Sequence, residues 1–186
     1  MRGLLLVFVI PFLGPAQTFS LETMEGLRAN KVIAEPTVHQ GRKGIRVAEP
    51  AGAGEDSEDR LLLLPVADFE NGVIEAEIAG APGRATALGA RGFVGVAFRV
   101  GEDTAKFDAF YLRPTNGRAD DQVRRNHSAQ YISHPAWTWS RLRKEEPEKY
   151  ESYVDLVPGE WTRVRIEVDG VKARLFVHGN AQPTLV

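Results

Sequence analysis

The sequence contains no cysteine. A disulfide framework, a thiolate nucleophile and a zinc site with cysteine ligands are therefore excluded. A domain without disulfides has to be held together by its core.

An excess of charge of one sign is also missing. The 186 residues include 23 basic and 25 acidic ones, and the net charge is -2 at pH 7. Such a balance produces no long-range field that would draw the chain to nucleic acid or to an anionic membrane. Neither is expected as a partner, and any recognition has to be local.

Long apolar runs are absent apart from one at the N-terminus. Residues 1–16 have the pattern of a secretory signal, with Arg2 before the apolar stretch Leu4–Leu13 and small residues after it. The stretch has about ten residues, against the roughly 20 that a membrane-spanning helix needs, and an uncleaved anchor is the alternative. We expect a secreted or periplasmic protein with a lead-in at 17–30 and one domain at 31–186.

Apolar and polar residues alternate along most of the remaining chain, with Gly, Pro and Asn-Gly between the runs. Gln40-Gly41 is predicted to join the first two strands, and Asp169-Gly170 is predicted to form the turn of a later hairpin. This period of two predicts antiparallel β-strands. The alternating runs are residues 31–39, 44–47, 61–64, 73–78, 92–100, 107–112, 163–168 and 172–177. Only Leu142–Tyr150 predicts a helical turn, and no strand-helix unit repeats. The sequence therefore predicts an all-β protein with an antiparallel β-sandwich or jelly roll.

Four segments carry a family resemblance: Phe69–Glu75, Gly92–Arg99, Tyr111–Pro114 and Trp161–Val168. Together they resemble the concanavalin A-like lectin/glucanase superfamily, and most of all its bacterial secreted 3-keto-disaccharide hydrolase-like and laminin G-like domains. The resemblance covers about residues 30–186 and implies a jelly roll. It implies no single activity, because the superfamily includes lectins, carbohydrate-binding modules and glycosidases.

Jelly rolls of this kind usually close with further strands after the position of Gln182–Val186. By this resemblance the fold is expected to lack its C-terminal strands, which would leave a sheet edge open. The alternative is a smaller sandwich that ends naturally here, since a chain of this length still buries a workable core.

The most distinctive stretch is Phe107–Tyr131, in which an alternating strand leads into a dense set of planar hydrogen-bonding side chains. Successive strand residues face opposite sides of a sheet. Phe110 and Leu112 are therefore predicted to point into the core. Tyr111 and Arg113 then point away from it, and we expect Arg113→Ala to abolish ligand binding while leaving the stability almost unchanged.

Such a mixture of side chains suits sugars. Planar amides, guanidinium groups and carboxylates satisfy paired hydroxyl groups, and an aromatic ring covers the apolar face of a pyranose. The residues predicted to bind carbohydrate are Arg99, Tyr111, Arg113, Asn116, Arg118, Gln122, Arg124, Asn126 and Tyr131. Glu75 and Glu77 are expected on the same surface, and the simpler alternative is that they only pair with its arginines in a solvated ladder.

A glycan-cleaving enzyme of the 3-keto-disaccharide hydrolase-like type is the second hypothesis. A retaining glycosidase holds two carboxyl groups about 5 Å apart, and Glu75 and Glu77 on one strand face stand roughly 6 to 7 Å apart at the backbone. With Asp121 they are the candidate acids and bases. Ala79 stands where the longer acidic motif of laminarinase-type relatives would continue, which argues against a glucanase. A non-catalytic envelope domain whose arginines bind an acidic partner is the third hypothesis.

No cofactor is expected, with calcium as the alternative. The four histidines are scattered without metal-ligand spacing. Gly101–Asp103 together with Asp108, or the pair Asp120 and Asp121, offers oxygen ligands. Some laminin G-like domains bind calcium, so the resemblance implies that such a site is an alternative. Plain acidic turns are the preferred interpretation of both segments.

Two further segments offer aromatic rings for the polar face. Trp137 and Trp139 point to one side, and they either line the cleft or pack under their loop. The segment Arg141–Tyr153 mixes charges densely and is interpreted as a solvated loop. The alternative is a lid that brings Tyr150 or Tyr153 to the arginines.

Overall fold

The computed structural model describes residues 16–50, 52, 59–66, 69–83 and 90–186. The signal-peptide prediction concerns residues that lie outside these ranges, except for Ala16. The strands are β1 (Arg28–Asn30), β2 (Ile33–His39), β3 (Arg42–Ala48), β4 (Leu61–Leu63), β5 (Gly72–Ile78), β6 (Val94–Phe98), β7 (Phe107–Leu112), β8 (Ala129–His134), β9 (Glu151–Ser152), β10 (Thr162–Asp169) and β11 (Lys172–Val177). The helices are α1 (Gln122–Asn126) and α2 (Trp139–Glu145), and a 3-10 turn spans Pro114–Asn116.

All strand pairs are antiparallel. Two sheets form the body of the molecule, one with the order β11-β10-β5 and one with the order β6-β7-β8-β9. The pairs β2-β3 and β1-β4 form two smaller sheets. Among the described residues no helix is long and apolar enough to cross a membrane. The prediction of an all-β antiparallel sandwich is confirmed.

The main core lies between the three-stranded and the four-stranded sheet. Ile74 and Ile166 point into it from the three-stranded sheet, and Phe98, Phe110 and Leu112 point into it from the four-stranded sheet. The alternation in the sequence has this physical cause, since every second side chain of these strands is withdrawn from water. The prediction that Phe110 and Leu112 point into the core is confirmed.

Two hairpins follow the predicted turns. Gln40 and Gly41 join β2 to β3, and both have positive φ, at 50° and 77°. Positive φ at both central residues is the geometry whose twist matches that of the flanking strands. Gly170, with φ 55°, follows Asp169 in the turn from β10 to β11, so that Ile166 pairs with Leu175.

The helix α2 covers part of the outer face of the four-stranded sheet. There Leu142 of α2 packs on Phe107, Ala109 and Ile132, which form a second apolar cluster. The helix α2 begins three residues before the predicted helical turn, and α1, β8 and β9 were not predicted. Because β8 and β9 extend the sheet beside β7, they bring polar side chains next to Tyr111 on this face.

Candidate functional site

Arg113 lies at the centre of a buried polar network. Only 4% of it is exposed. Its Nη1 donates hydrogen bonds to the His127 carbonyl at 3.0 Å and to Oε1 of Glu151 at 3.2 Å. Its Nη2 donates to the Tyr111 hydroxyl at 3.0 Å and to Oε1 of Gln130 at 3.1 Å. The guanidinium group is therefore fixed by four different acceptors. Arg113 points away from the core as predicted, but its burial argues against the expectation that Arg113→Ala leaves the stability almost unchanged.

Strand register explains why these groups meet. Arg113 follows β7 and shares its outward face with Tyr111. Gln130 of β8 pairs with Tyr111, and Glu151 of β9 pairs with Gln130. Residues directly opposite each other in neighbouring strands present their side chains on the same face. Three adjacent strands thus each contribute one polar side chain to Arg113.

Glu151 is the carboxylate at the centre of this network, and only 8% of it is exposed. Arg143 of α2 donates two hydrogen bonds to it, and Nε2 of His127 lies 3.6 Å from its Oε2. Burial acts to raise the pKa of Glu151, but the hydrogen bonds and charge of Arg143, helped by His127 and Arg113, outweigh it. The pKa of Glu151 lies below its ordinary value, so the group is ionised at neutral pH.

The same charges act on the pKa of His127. Burial lowers its pKa against the opposing effect of Glu151, and the charges of Arg143 and Arg113 lower it further. Since an ordinary imidazole has a pKa of about 6.5, His127 is neutral at pH 7. Its ring contacts a charged network without adding another positive charge.

The ionisation of Glu151 predicts a loss of stability in acid. A carboxyl group whose pKa is lower in the folded protein stabilises the fold above its unfolded pKa of about 4.3, and this contribution is lost as the pH falls through the folded pKa. We therefore expect Glu151→Gln to remove part of the acid dependence of the thermal denaturation midpoint below about pH 5. Glu75→Gln, on an exposed strand position, is the control. Identical acid profiles for Glu151→Gln and the parent would contradict the assignment.

The network continues toward α1 through Asn116. This residue is buried, and it donates to the same His127 carbonyl that accepts from Arg113. Its Oδ1 accepts a hydrogen bond from Nε of Arg124 at 3.0 Å. Arg124 also donates to the carbonyl and the hydroxyl of Thr115, both at 3.2 Å. Arg124 is therefore held beside Arg113 through shared neighbours.

We name this surface the arginine face. It consists of Tyr111, Arg113, Asn116, Arg124, His127, Gln130, Arg143 and Glu151. No buried side-chain nitrogen or oxygen among the described residues lacks a hydrogen-bond partner. The groups of the arginine face are therefore held in fixed positions by one another.

Exposed aromatic rings lie at the rim of the arginine face. Phe93 is 61% exposed, and its ring meets that of Tyr111 edge to face at 5.6 Å. The guanidinium of Arg113 lies 5.8 Å from the centre of the Phe93 ring. On the other side, Trp139 is exposed and its ring lies 5.1 Å from the guanidinium of Arg143. Rings of this kind offer flat apolar area next to polar groups.

A shallow depression opens next to the buried carboxylate. It is lined by Asn126, His127, Glu148, Glu151, Ser152 and Tyr153. The segment that was interpreted as a solvated loop thus supplies most of α2 and part of this wall. Tyr153, which the alternative of a lid required near the arginines, is an exposed member of the wall.

Glu75 and Glu77 are not on the arginine face. They lie on the outer face of the three-stranded sheet, where Glu75 pairs with Arg163 at 2.9 Å and Glu77 pairs with Arg42 at 2.8 Å. The core separates this face from Tyr111. The expectation of one shared surface is wrong, because alternation determines whether a side chain points away from the core but not which of two sheets carries it.

Two other predicted residues serve the packing of the sandwich. Arg99 follows β6 with a positive φ of 53°, which ends the alternation, and it donates to the carbonyls of Glu70 and Gly170 at a turn. Tyr131 faces the core, with its ring 5.2 Å from that of Phe110. Burial raises the pKa of Tyr131, and its hydroxyl donates to a carboxylate of β7. The structure does not bring either residue to the arginine face.

The remaining predicted residues lie around α1. Asp121 caps this helix by accepting the backbone N–H of Arg124 at 2.7 Å, so its carboxylate is engaged locally. Gln122 is exposed at the start of the helix, and Asn126 is exposed at its end, where it lines the depression. Arg118 makes two hydrogen bonds to Asp155 in solvent.

Two of the carboxylates that the calcium alternative would use are engaged in other contacts. Asp103 accepts the backbone N–H of Ala105, and Asp108 accepts the Tyr131 hydroxyl. In the described part of the chain, no three His, Cys, Asp or Glu side chains come together as a metal site would require.

Sequence reasoning missed four members of the arginine face. These are His127, Gln130, Arg143 and Glu151. Gln130 carried a signal, because it alternates with two hydrophobic neighbours as a strand residue does. Glu151 carried none, since a carboxylate in a segment of mixed charge is normally solvated.

Comparison of the chain with protein-family models, with curated proteins and with solved structures gives no match. The resemblance to the concanavalin A-like superfamily stays a prediction.

Proposed function

We propose that this protein is an exported carbohydrate-binding domain with a jelly-roll type of sandwich, and that it takes its ligand on the arginine face. The observation that carries the proposal is the difference between the two outer faces of the sandwich. One face has exposed ion pairs, and the other has a buried, fully bonded polar network with exposed aromatic rings beside it.

The outer face of the three-stranded sheet is typical of a surface that only needs to be soluble. Glu75 and Arg163 pair in solvent there, and Glu167 pairs with Arg165 and Arg174. Exposed pairs of this kind contribute about 0 to 1 kcal/mol each. Exposed ion pairs are therefore enough to keep a surface soluble, and buried charges are not needed for that purpose.

The arginine face contains buried charges, which solubility does not require. Withdrawing the charges of Arg113 and Glu151 from water costs several kcal/mol per ion, which their attraction and hydrogen bonds offset only when the geometry is good. Groups held in this way lose little conformational entropy when a ligand arrives. The network therefore has the rigidity of a recognition surface.

The chemistry of the face suits a sugar. Arginine and amide groups match paired hydroxyl groups, while Phe93 and Trp139 offer rings to the apolar face of a pyranose. Binding is favoured over catalysis, because the carboxylates proposed as acids and bases do not converge. Glu75 and Glu77 lie across the core from Tyr111, and Asp121 caps α1.

A glycan array probed with the purified protein, with and without calcium and with product analysis of every hit, tests the proposal. We expect binding without cleavage. Phe93→Ala should weaken it about fivefold, because stacking on an aromatic ring contributes about 1 kcal/mol. Val73→Ala is the matched control, since Val73 is an exposed apolar residue of β5 with the outward orientation of Glu75.

Two results would contradict the proposal. Cleavage products would make the protein an enzyme, with the 3-keto-disaccharide hydrolase-like hypothesis as the first alternative. Silence on all glycans would favour an acidic partner protein as the ligand of the arginines.

A further inference from the structure

We infer that the depression beside Glu151 is the primary subsite of the arginine face, and that it holds one neutral sugar unit at the end of a glycan. This inference rests on the proposed function, and it names the position of the ligand and the class of sugar. The depression shares only His127 and Glu151 with the arginine face. The binding site therefore extends beyond the groups that hold Arg113 in place.

Polar side chains around the depression have hydrogen-bonding capacity left for a ligand. Within the described part of the chain, four lining residues make no hydrogen bond through their side chains: Asn126, Glu148, Ser152 and Tyr153. The neighbouring guanidinium of Arg113, by contrast, is held by four acceptors. A sugar hydroxyl both donates and accepts hydrogen bonds, and amide, carboxylate and hydroxyl groups together offer it both roles. A rigid network thus borders a set of groups that are available to a sugar.

Tyr153 supplies an aromatic wall to the depression. It follows β9 directly and is 50% exposed. Such a ring covers the apolar face of a pyranose while the hydroxyl groups bind polar neighbours. The depression has a volume of about 210 Å³, whereas pockets for drug-sized ligands have about 300 Å³ or more. It therefore has room for one sugar ring, and Phe93, which is not part of the lining, is left to contact a unit that follows the first.

The charges at the depression favour a neutral sugar over an acidic one. The ionised carboxylate of Glu151 is bound by Arg143 and Arg113. The exposed Glu148 forms no ion pair with any described residue, and its charge acts on the nearby His127 to raise the pKa of that ring. Because His127 is neutral at pH 7, it does not offset the charge of Glu148. A sugar carboxylate in the depression would be repelled by Glu148, since like charges repel.

Titration calorimetry with simple sugars tests the inference. The probes are neutral hexoses, 6-deoxyhexoses and N-acetylhexosamines, the matching uronic acids, and linear di- and tetrasaccharides that end in each neutral sugar. We expect one neutral monosaccharide to bind on its own, and its longer chains to bind at most about fivefold more tightly, which is the contribution of one further ring such as Phe93. The matching uronic acid should bind about fivefold or more weakly, because Glu148 repels it.

Two sets of variants locate the subsite. Tyr153→Ala should weaken the binding of the monosaccharide about fivefold or more, whereas Tyr153→Phe keeps the ring and should keep the affinity within about twofold. Glu148→Gln should remove the discrimination against the uronic acid. Val73→Ala and Glu75→Gln are the matched controls, because both residues are exposed on β5, and they should change neither result.

The outcomes separate the inference from the proposed function. Binding of oligosaccharides without binding of any single sugar would overturn the inference, since the ligand would then be the interior of a chain, and would leave carbohydrate binding intact. Equal affinity for the uronic acid, or a Tyr153→Ala variant that binds like the parent, would also overturn it. Binding of none of the sugars would overturn both.

Discussion

Arg113→Ala is expected to lower the free energy of unfolding by about 3 to 5 kcal/mol, because it leaves the buried charge of Glu151 without one of its partners. It also removes the donor of four hydrogen bonds, so Gln130 and Tyr111 each lose one hydrogen bond as well. Denaturant unfolding monitored by tryptophan fluorescence measures the change. Carbohydrate binding should be lost together with stability.

Two variants make this prediction specific. Arg163→Ala, in the exposed pair with Glu75, should cost about 0 to 1 kcal/mol. Arg113→Lys should fall between the two, since it keeps the charge but lacks the planar fork that reaches several acceptors. A loss for Arg113→Ala no larger than that for Arg163→Ala would mean that Arg113 does not hold the network together.

The sequence alone was sufficient to predict the strands that have one apolar and one charged face. In β10 the apolar residues Val164, Ile166 and Val168 alternate with charged ones, and the structure buries these three. The Asp169-Gly170 turn and the pairing that follows it were predicted for the same reason, since the turn and the alternation agree. Local chemistry determines such elements almost alone.

The arginine face was predicted only in part, because it depends on which strands lie side by side. Tyr111 and Arg113 were assigned to the face opposite the core, and the structure places them there. Gln130 and Glu151 reach them only through the pairing of β7 with β8 and of β8 with β9. Glu151 lies 38 residues after Arg113, and nothing in the local pattern indicates that distance.

The misplacement of Glu75 has a similar origin. Its alternation with Ile74 and Ala76 correctly placed it away from the core, but both sheets have such a face. Strand order decides between them, and β5 pairs with β10 instead of β7. Tyr131 was misplaced because an aromatic ring with a hydroxyl suits either a binding face or a core margin.

Phe98→Ala is expected to destabilise the protein by about 3 to 5 kcal/mol, because truncating a buried aromatic side chain removes its contacts and leaves a cavity. Phe98 is 3% exposed in the main core, where its ring stacks on that of Phe110 at 6.1 Å. Denaturant unfolding measures this loss as a lower midpoint concentration, with an unchanged dependence of the free energy of unfolding on denaturant concentration.

Phe93→Ala is the matched control, since it truncates the same type of residue just before the same strand. Phe93 is 61% exposed, so its loss should change the stability little, by roughly 0.5 kcal/mol or less. The two variants should therefore separate the roles of the two faces, with Phe98→Ala reducing stability and Phe93→Ala reducing carbohydrate affinity. The opposite result would mean that β6 presents its other face to the core. Tyr111 pairs with Gly95 in that strand, and the arginine face would then have to lie inside the sandwich.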